Sequence, residues 1–281
     1  MDPSTSDASS QVPPTFNYAD TFTPSRNRKK RRGRSDTAPT PPSVLLERAR
    51  AELVASDWLR ESKQLLCDAL AALHIDAPRV LCLGLGRPAV TREARVQLAF
   101  LIAICDELSI ERAKVSAYDP VFTNEDVSLL DALGISRLAE DKCAAYALEG
   151  PTIAFMPHCD LLLYENLLRA NWSRARLPHL VLIANVLSEY ADSVPARVLA
   201  VANPCVWRLT PHLASRPLPI CSAHPTAFNS TAIQHMRPDS AEDLGRDWWE
   251  LPPGPLQVDP AKVISIDPAD GTRADGGDPG P

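Results

Sequence analysis

Short apolar runs alternate with longer amphipathic stretches through the middle of this 281-residue chain. Each run is almost continuously hydrophobic, which is typical of a parallel strand that is buried on both faces. Four runs have this character: residues 79–83, 114–117, 151–156 and 180–184. Because helical patterns separate them, the sequence predicts an α/β domain with a Rossmann-like three-layer fold and a mostly parallel sheet.

Helical spacing of apolar residues fills the intervals between the runs. The segments with this spacing are residues 44–73, 98–104, 124–133 and 161–170. The first predicts two helices, or one helix interrupted near Ser56. The second is apolar on all sides, as in a helix buried against the sheet and a neighbour, and Thr91 is placed to cap it. The third is expected to end at Gly134.

The last third of the domain has a less regular pattern. A helical period of apolar residues runs through residues 198–213 and crosses Pro204, which predicts a kinked helix or two short helices. Residues 227–236 predict a last strand at the edge of the sheet. Trp248 and Trp249 are expected to pack against the domain and so to hold the C-terminus on it.

Prolines mark both ends of the chain. There are 27 of them, and many stand before residue 43 or after residue 251. Segments of this composition do not bury enough apolar surface to offset the entropy of ordering. We therefore predict a disordered basic tail over residues 1–43, one α/β domain over residues 44–251, and a disordered tail rich in Pro, Asp and Gly over residues 252–281.

Although the net charge is −6, the chain contains a run of seven basic residues within nine positions, from Arg26 to Arg34. We expect a nuclear-localisation signal there, and its candidate residues are Arg28, Lys29, Lys30, Arg31 and Arg32. A solvated arm without a receptor is the alternative. Specific nucleic-acid binding is not expected, because the domain has no basic stripe with interleaved aromatic residues.

No secretion signal or membrane-spanning run is predicted. The N-terminus is polar, and no stretch of about 18 uncharged apolar residues occurs. We therefore expect an intracellular protein, in the nucleus and the cytoplasm. The seven cysteines are scattered without a Cys-x-x-Cys pair, which favours buried thiols over disulfides and predicts no metal site.

Gly84, Gly86 and Arg87 are the first candidates for ligand binding. They lie in a Gly-Leu-Gly-Arg-Pro-Ala turn between a strand and a helix, a form of the dinucleotide-binding turn, and Arg87 adds positive charge. Asp119 follows the next strand, where its carboxylate could accept hydroxyl groups of a nucleotide-like ligand. Asp119 lies 33 positions beyond Gly86, against roughly 20 in that fingerprint. A tight structural turn and a capping aspartate are the alternatives.

His158 and Asn185 follow two further strands and so fall on the same edge of the sheet. We expect Gly86, Asp119, His158 and Asn185 to converge on one cleft, with His158 as a polar ligand contact or proton carrier. A structural histidine and a turn asparagine are the alternatives. Cys159 is poorly placed to pair with His158, because adjacent side chains of an extended chain point apart. Catalytic residues and a cofactor stay unassigned.

Five motifs in this order resemble the Sensitivity-to-Red-light-Reduced-like (SRR-like) domain family. They are Cys-Leu-Gly-Leu-Gly (82–86), Tyr-Asp-Pro-Val-Phe (118–122), Phe-Met-Pro-His-Cys (155–159), Leu-Leu-Arg-Ala-Asn-Trp (167–172) and Leu-Ile-Ala-Asn (182–185). Residues 227–233 resemble the C-terminal motif of the same family. The chain departs from it at Gln234-His235-Met236, where relatives tend to carry His-Trp-Phe.

The resemblance implies a regulatory protein. Plant relatives act in red-light signalling and the circadian clock, and other relatives are tied to haem metabolism and cytoskeletal upkeep, without an agreed reaction. We therefore expect signalling or circadian-type control through protein partners or a small ligand. One alternative is an enzyme, such as a transferase that uses an S-adenosylmethionine-like cofactor, with Gly84 and Gly86 as the cofactor turn and Asp119 on its ribose. A haem-metabolism regulator is a further alternative.

Overall fold

The computed structural model describes residues 40–254, in which helices and strands alternate as the apolar pattern predicts. The helices are α1 (Pro42–Val54), α2 (Asp57–Ala72), α3 (Arg92–Glu107), α4 (Asn124–Ala132), α5 (Leu161–Ala170), α6 (Leu187–Ser193), α7 (Ala196–Ala202), α8 (Pro204–Leu209) and α9 (Pro238–Asp243). The strands are β1 (Arg79–Leu83), β2 (Val115–Tyr118), β3 (Ser136–Arg137), β4 (Thr152–Met156), β5 (Leu180–Asn185), β6 (Leu213–Pro217) and β7 (Thr231–Met236). The basic run 28–32 and most of both predicted tails lie outside the described residues.

Seven strands of the described residues form one sheet in the order β3-β2-β1-β4-β5-β7-β6. The strands from β1 to β5 run parallel to one another, whereas β7 is antiparallel to both of its neighbours. The predicted α/β fold with a mostly parallel sheet is confirmed. The strand order reverses between β1 and β4, and at such a point the loops after the strands diverge and leave a crevice that commonly binds ligands.

Helices cover both faces of the sheet, which gives the predicted three layers. On one face, α1 to α4 enclose a core in which Trp58, Phe100 and Phe228 contact one another. On the other face, α5, α6 and α8 pack around Tyr164 and Leu187. α3 is buried continuously from Val96 to Cys105, as its apolar sequence predicts, because it lies under both α1 and α2.

Two helix boundaries follow from local chemistry. Ser56 separates α1 from α2, and its hydroxyl oxygen accepts from the Leu59 amide at 3.3 Å, so the prediction of two helices is correct. Gly134 ends α4 with φ +71°, a conformation that costs glycine little. Thr91 precedes α3 as predicted, but its hydroxyl donates to the Arg87 carbonyl instead of capping the helix.

The last third of the domain differs from the prediction. The strand predicted over residues 227–236 exists as β7, but it lies between β5 and β6 and is buried along its whole length. The edge strand is β6, at the end of the segment that the helical period had assigned to a helix. Pro204 divides that segment into α7 and α8, and Pro211 then prevents the helix from continuing.

The C-terminal segment packs on the domain as predicted. The Trp248 ring stacks on Trp172 with centroids 4.8 Å apart, and the Arg169 guanidinium donates to the carbonyls of Pro252 and Pro253, both at 2.8 Å. Those two prolines therefore contact the domain, although the sequence predicts a tail from residue 252. No helix within residues 40–254 has the length and apolar character needed to span a bilayer.

All seven cysteines are free thiols. Five are buried and Cys67 is partly buried, which agrees with the prediction. The prediction is wrong for Cys143, which is exposed in the loop between β3 and β4, because that loop packs only its apolar residues against the sheet.

Candidate functional site

The glycine turn after β1 adopts a conformation that requires glycine. Gly84 and Gly86 have φ values of +68° and +76°. A Cβ on Gly84 would overlap the sulfur of Cys159, so this residue also permits a close approach between two loops. A Cβ on Gly86 would meet only the Ala94 Cβ at 3.6 Å, which is an ordinary contact. The two glycines therefore serve different purposes within one turn.

Two carboxylates accept hydrogen bonds from backbone amides of this turn. Oδ2 of Asp119 accepts from the Gly86 amide at 2.7 Å, and Oδ1 accepts from the Val121 amide at 2.9 Å. Oδ1 of the buried Asp126 accepts from the Ala89 amide at 2.8 Å. In a phosphate-binding turn such amides would face the anion. Here the carboxylates of Asp119 and Asp126 take the place of such an anion at the amides of Gly86 and Ala89.

Asp126 is a functional residue of the turn that sequence reasoning missed. Its Oδ2 accepts from the Thr123 amide at 2.9 Å, which is one half of the capping box of α4, and it also accepts from the Thr123 hydroxyl at 2.6 Å. Burial opposes ionisation of this carboxyl, but the hydrogen bonds from Thr123 and Ala89 outweigh burial and lower its pKa. The sequence signal was available, because Thr123 and Asp126 have the spacing of a capping box.

Arg87 contributes less free positive charge to the turn than its sequence position suggests. Its Nε lies 3.8 Å from Oδ2 of Asp126, and about two fifths of its side chain is exposed. Arg95 reinforces the turn from α3 by donating to the carbonyls of Pro88 and Ala89, at 3.1 and 3.0 Å. The turn is therefore held on both sides by groups of the protein itself.

His158 and Asn185 form a second cluster. Oδ1 of Asn185 accepts from the His158 amide at 2.8 Å, and its Nδ2 donates to the Tyr190 hydroxyl at 2.9 Å. His158 is exposed and has φ +57°, which is strained for a residue with a side chain. Its Nε2 lies 3.2 Å from the Ala227 carbonyl. Because a carbonyl only accepts, Nε2 carries the hydrogen, and Nδ1 is the acceptor of the neutral ring.

Cys159 connects the two clusters without being reactive. Its thiol packs against Gly84 and lies 3.5 Å from the Leu83 carbonyl. Burial, followed by the charges of Asp119 and Asp160, raises the pKa of this thiol to about 12, so it stays protonated. Within residues 40–254, no group of three or more His, Cys, Asp or Glu side chains is arranged to hold a metal ion.

The structure thus brings Gly86, Arg87 and Asp119 together, and separately joins His158 to Asn185. Convergence of all of them on one ligand cleft stays a prediction. Residues 63–235, more than half of the chain, match the SRR1 domain. The chain belongs to the SRR1 domain family.

Relatives from animals and a plant share the SRR1 domain. The SRR1-like protein of Mus musculus is 33% identical over 147 residues, which are 52% of this chain and 58% of the mouse protein. The SRR1-like protein of Drosophila melanogaster is 26% identical over 220 residues, or 78% of this chain and 77% of the fly protein. The Arabidopsis thaliana protein SENSITIVITY TO RED LIGHT REDUCED 1 is 34% identical over 111 residues, 40% of each chain.

The SRR1 match contains all six candidate ligand residues and ends within β7. At that end lies Gln234. Its buried carboxamide accepts from the Leu187 amide at 3.0 Å and donates to the Asn185 carbonyl at 2.9 Å. In this SRR1 domain Gln234 therefore links β7 to the start of α6 and to Asn185, which belongs to the cluster with His158.

Proposed function

We propose that this protein is a regulator in signalling or circadian-type control, and that it acts by binding a protein partner or a small ligand at the carboxyl edge of the sheet. It works in the nucleus and the cytoplasm, and the basic run 28–32 acts as its import signal. The similarity to the Arabidopsis red-light protein supports a role in signalling.

One observation favours binding over catalysis: the polar candidates are engaged by the protein's own backbone. Asp119 accepts hydrogen bonds from two backbone amides, and Asn185 accepts one. The His158 ring is hydrogen-bonded to a backbone carbonyl. A general base or nucleophile needs a reactive group that is free to reach its substrate. Groups held in this way instead stabilise a defined surface for recognition.

Genetic complementation tests the regulatory role. The chain would be expressed in Arabidopsis plants that lack the SENSITIVITY TO RED LIGHT REDUCED 1 protein, and the response to red light would be scored. We expect the unaltered chain to restore the response, and His158→Ala to lose it while keeping the thermal stability of the parent protein. Arg174→Ala, at an exposed position outside both clusters, is the control. A His158→Ala variant as active as the parent would argue against this surface.

The second candidate is a transferase with an S-adenosylmethionine-like cofactor. The oxygens of Asp119 each retain a lone pair that could accept from a ribose hydroxyl. Since carboxylates already occupy the amides of Gly86 and Ala89, a ligand without phosphate groups suits this turn better than a dinucleotide.

Thermal unfolding with a panel of compounds separates the two candidates. The panel contains S-adenosylmethionine, dinucleotides, nucleoside phosphates and haem. A ligand at a hundredfold excess over its Kd stabilises a protein by about 2.7 kcal/mol, which raises the melting temperature measurably. Stabilisation by S-adenosylmethionine that Asp119→Asn abolishes would support the transferase. No stabilisation by any compound would favour a regulator that recognises a protein partner.

A further inference from the structure

A separate cavity opens at the carboxyl edge of the sheet. It has a volume of about 330 Å³ and lies between the start of α6 and the loop 217–231 that joins β6 to β7. Its lining includes none of the six candidate ligand residues. The volume falls at the lower end of the range for small-molecule pockets, roughly 300–1,000 Å³. The cavity could therefore hold a compound with a single ring or a short chain.

Apolar side chains form most of the wall. They are Val186, Leu218, Ile220, Phe228 and the three prolines Pro217, Pro219 and Pro225. Ile220 is 89% exposed, the highest exposure of any large hydrophobic residue among those described. Covering such a side chain removes apolar area from water, which contributes roughly 25 cal/mol per Å². An apolar ligand that covers Ile220 at the mouth of the cavity would gain this free energy on binding.

The cavity is preformed, because core residues hold part of its wall in place. Nε1 of Trp58 donates to the Pro219 carbonyl at 2.7 Å. The Trp58 ring lies 4.5 Å, centroid to centroid, from Phe228, which also contacts Phe100 at 5.2 Å. Three prolines in the loop further limit its backbone freedom. A preformed site loses little conformational entropy when it binds a ligand.

Glu189 gives the cavity its charge. It is the one acidic residue of the lining, its side chain is exposed, and no lining residue is basic. The other titratable group of the wall is the thiol of Cys221, and burial raises its pKa, so it is neutral at physiological pH. The wall is thus apolar with a single negative charge.

We propose that this cavity binds a small organic cation, namely an apolar ring or chain that carries a protonated amine. The apolar part packs against Leu218 and Phe228, and the ammonium group lies beside the carboxylate of Glu189. This inference goes beyond the proposed function, because it does not involve the glycine turn, Asp119 or His158.

Titration of the full chain with three matched probes, followed by NMR of the backbone amides, tests the proposal. The probes are benzylammonium, benzyl alcohol and benzoate, which share a ring and differ in charge. We expect shifts at the amides of Ile220, Asn229 and Ser230, with benzylammonium bound about three to five times more tightly than benzyl alcohol and benzoate bound most weakly. This factor corresponds to about 0.65–0.95 kcal/mol, the upper part of the range for an exposed ion pair.

Two variants of the cavity and one control variant make the test specific. Glu189→Gln removes the charge, so benzylammonium should bind no more tightly than benzyl alcohol; Glu242→Gln, at an exposed acid of α9, should leave the preference intact. Ile220→Lys places a cation at the mouth and should weaken benzylammonium binding at least threefold without changing the melting temperature, since Ile220 is solvent-exposed. Equal binding of all three probes, a preference that survives Glu189→Gln, or shifts confined to other residues would each overturn the proposal.

Discussion

The carboxylate of Asp119 accepts the amide hydrogen of Gly86 at 2.7 Å, across 33 residues of sequence. This hydrogen bond joins the loop after β1 to the loop after β2 at the edge where ligands of doubly wound sheets bind. It fixes the turn that resembles a dinucleotide-binding motif, and it places a negative charge where that motif would hold a phosphate. The same few atoms thus fix the shape of the turn and engage an amide that a phosphate would otherwise use.

We predict that Asp119→Ala destabilises the protein by about 1–3 kcal/mol, because the amides of Gly86 and Val121 lose their acceptor. Urea denaturation at neutral pH measures the change in the free energy of unfolding. Asp131→Ala, an exposed aspartate of α4, should cause little change. If both variants unfold at the same urea concentration as the parent, the hydrogen bonds of Asp119 do not hold the turn.

Gly84→Ala should cost more stability than Gly86→Ala. Both residues have positive φ, which costs a non-glycine residue about 1–2 kcal/mol, but only at Gly84 does the added methyl overlap the sulfur of Cys159. The overlap should add roughly 1–3 kcal/mol.

A double variant isolates the steric part of that effect. Cys159→Ala removes the sulfur, so Gly84→Ala should be less destabilising in that background than in the parent protein, whereas Gly86→Ala should cost the same in both. The free energies of unfolding of the single and double variants give the interaction energy directly. Purely additive effects would mean that the sulfur does not limit this turn.

Stability should fall as the pH is lowered from about 7 to 5, in part because of His224. Its imidazole is buried, with Nε2 3.7 Å from the Glu52 carboxylate of α1. Burial lowers its pKa; the Glu52 and Glu93 carboxylates oppose this effect, and Arg92 adds to it. The unfolded chain, with a histidine pKa of about 6.5, therefore takes up a proton more readily than the folded protein, and acid favours unfolding.

His224→Gln should weaken this pH dependence. Denaturant unfolding at several pH values between 5 and 7.5 gives the slope for each variant. Burial also lowers the pKa of His212, with help from Arg237 and Arg208, so part of the slope should remain. His179→Gln replaces an exposed histidine and is the control. A slope in His224→Gln as steep as in the control would contradict the role of His224.

Removing Glu165 should be among the most damaging single changes. Its buried Oε2 accepts from the amides of Cys205 and Val206 in the first turn of α8, at 2.9 and 3.0 Å, and its Oε1 accepts from Arg169 at 3.0 Å. We predict a loss of about 3–5 kcal/mol for Glu165→Ala, because the partly buried Arg169 loses its ion pair and two buried amides of α8 lose their acceptor.

Glu165→Gln retains the volume and one acceptor oxygen, and should lose less stability than Glu165→Ala. Circular dichroism during urea unfolding measures both variants. Glu242→Ala, at an exposed acid of α9, should leave the midpoint unchanged. Equal losses for Gln and Ala would show that the carboxamide oxygen cannot replace the carboxylate as acceptor for α8.

The sequence by itself determined the repeating elements of this domain. β1, β4, β5 and α3 are read from continuous apolar runs, because burial on all sides leaves no polar position in such segments. The glycine turn was also visible from its Gly-x-Gly sequence, since glycine is the residue that adopts positive φ at little cost. Local composition fixes these features, and no knowledge of distant residues is needed to find them.

Tertiary structure alone decided which distant groups meet. β7 was predicted at the edge of the sheet, yet the fold places it between β5 and β6, buries its polar residues Gln234 and His235, and pairs Gln234 with the loop after β5. Likewise, nothing local to Asp119 or Asp126 indicates that their carboxylates reach the amides of the glycine turn. A hydrogen bond between loops depends on how the strands are ordered in the sheet, and that order is set by packing of the whole domain.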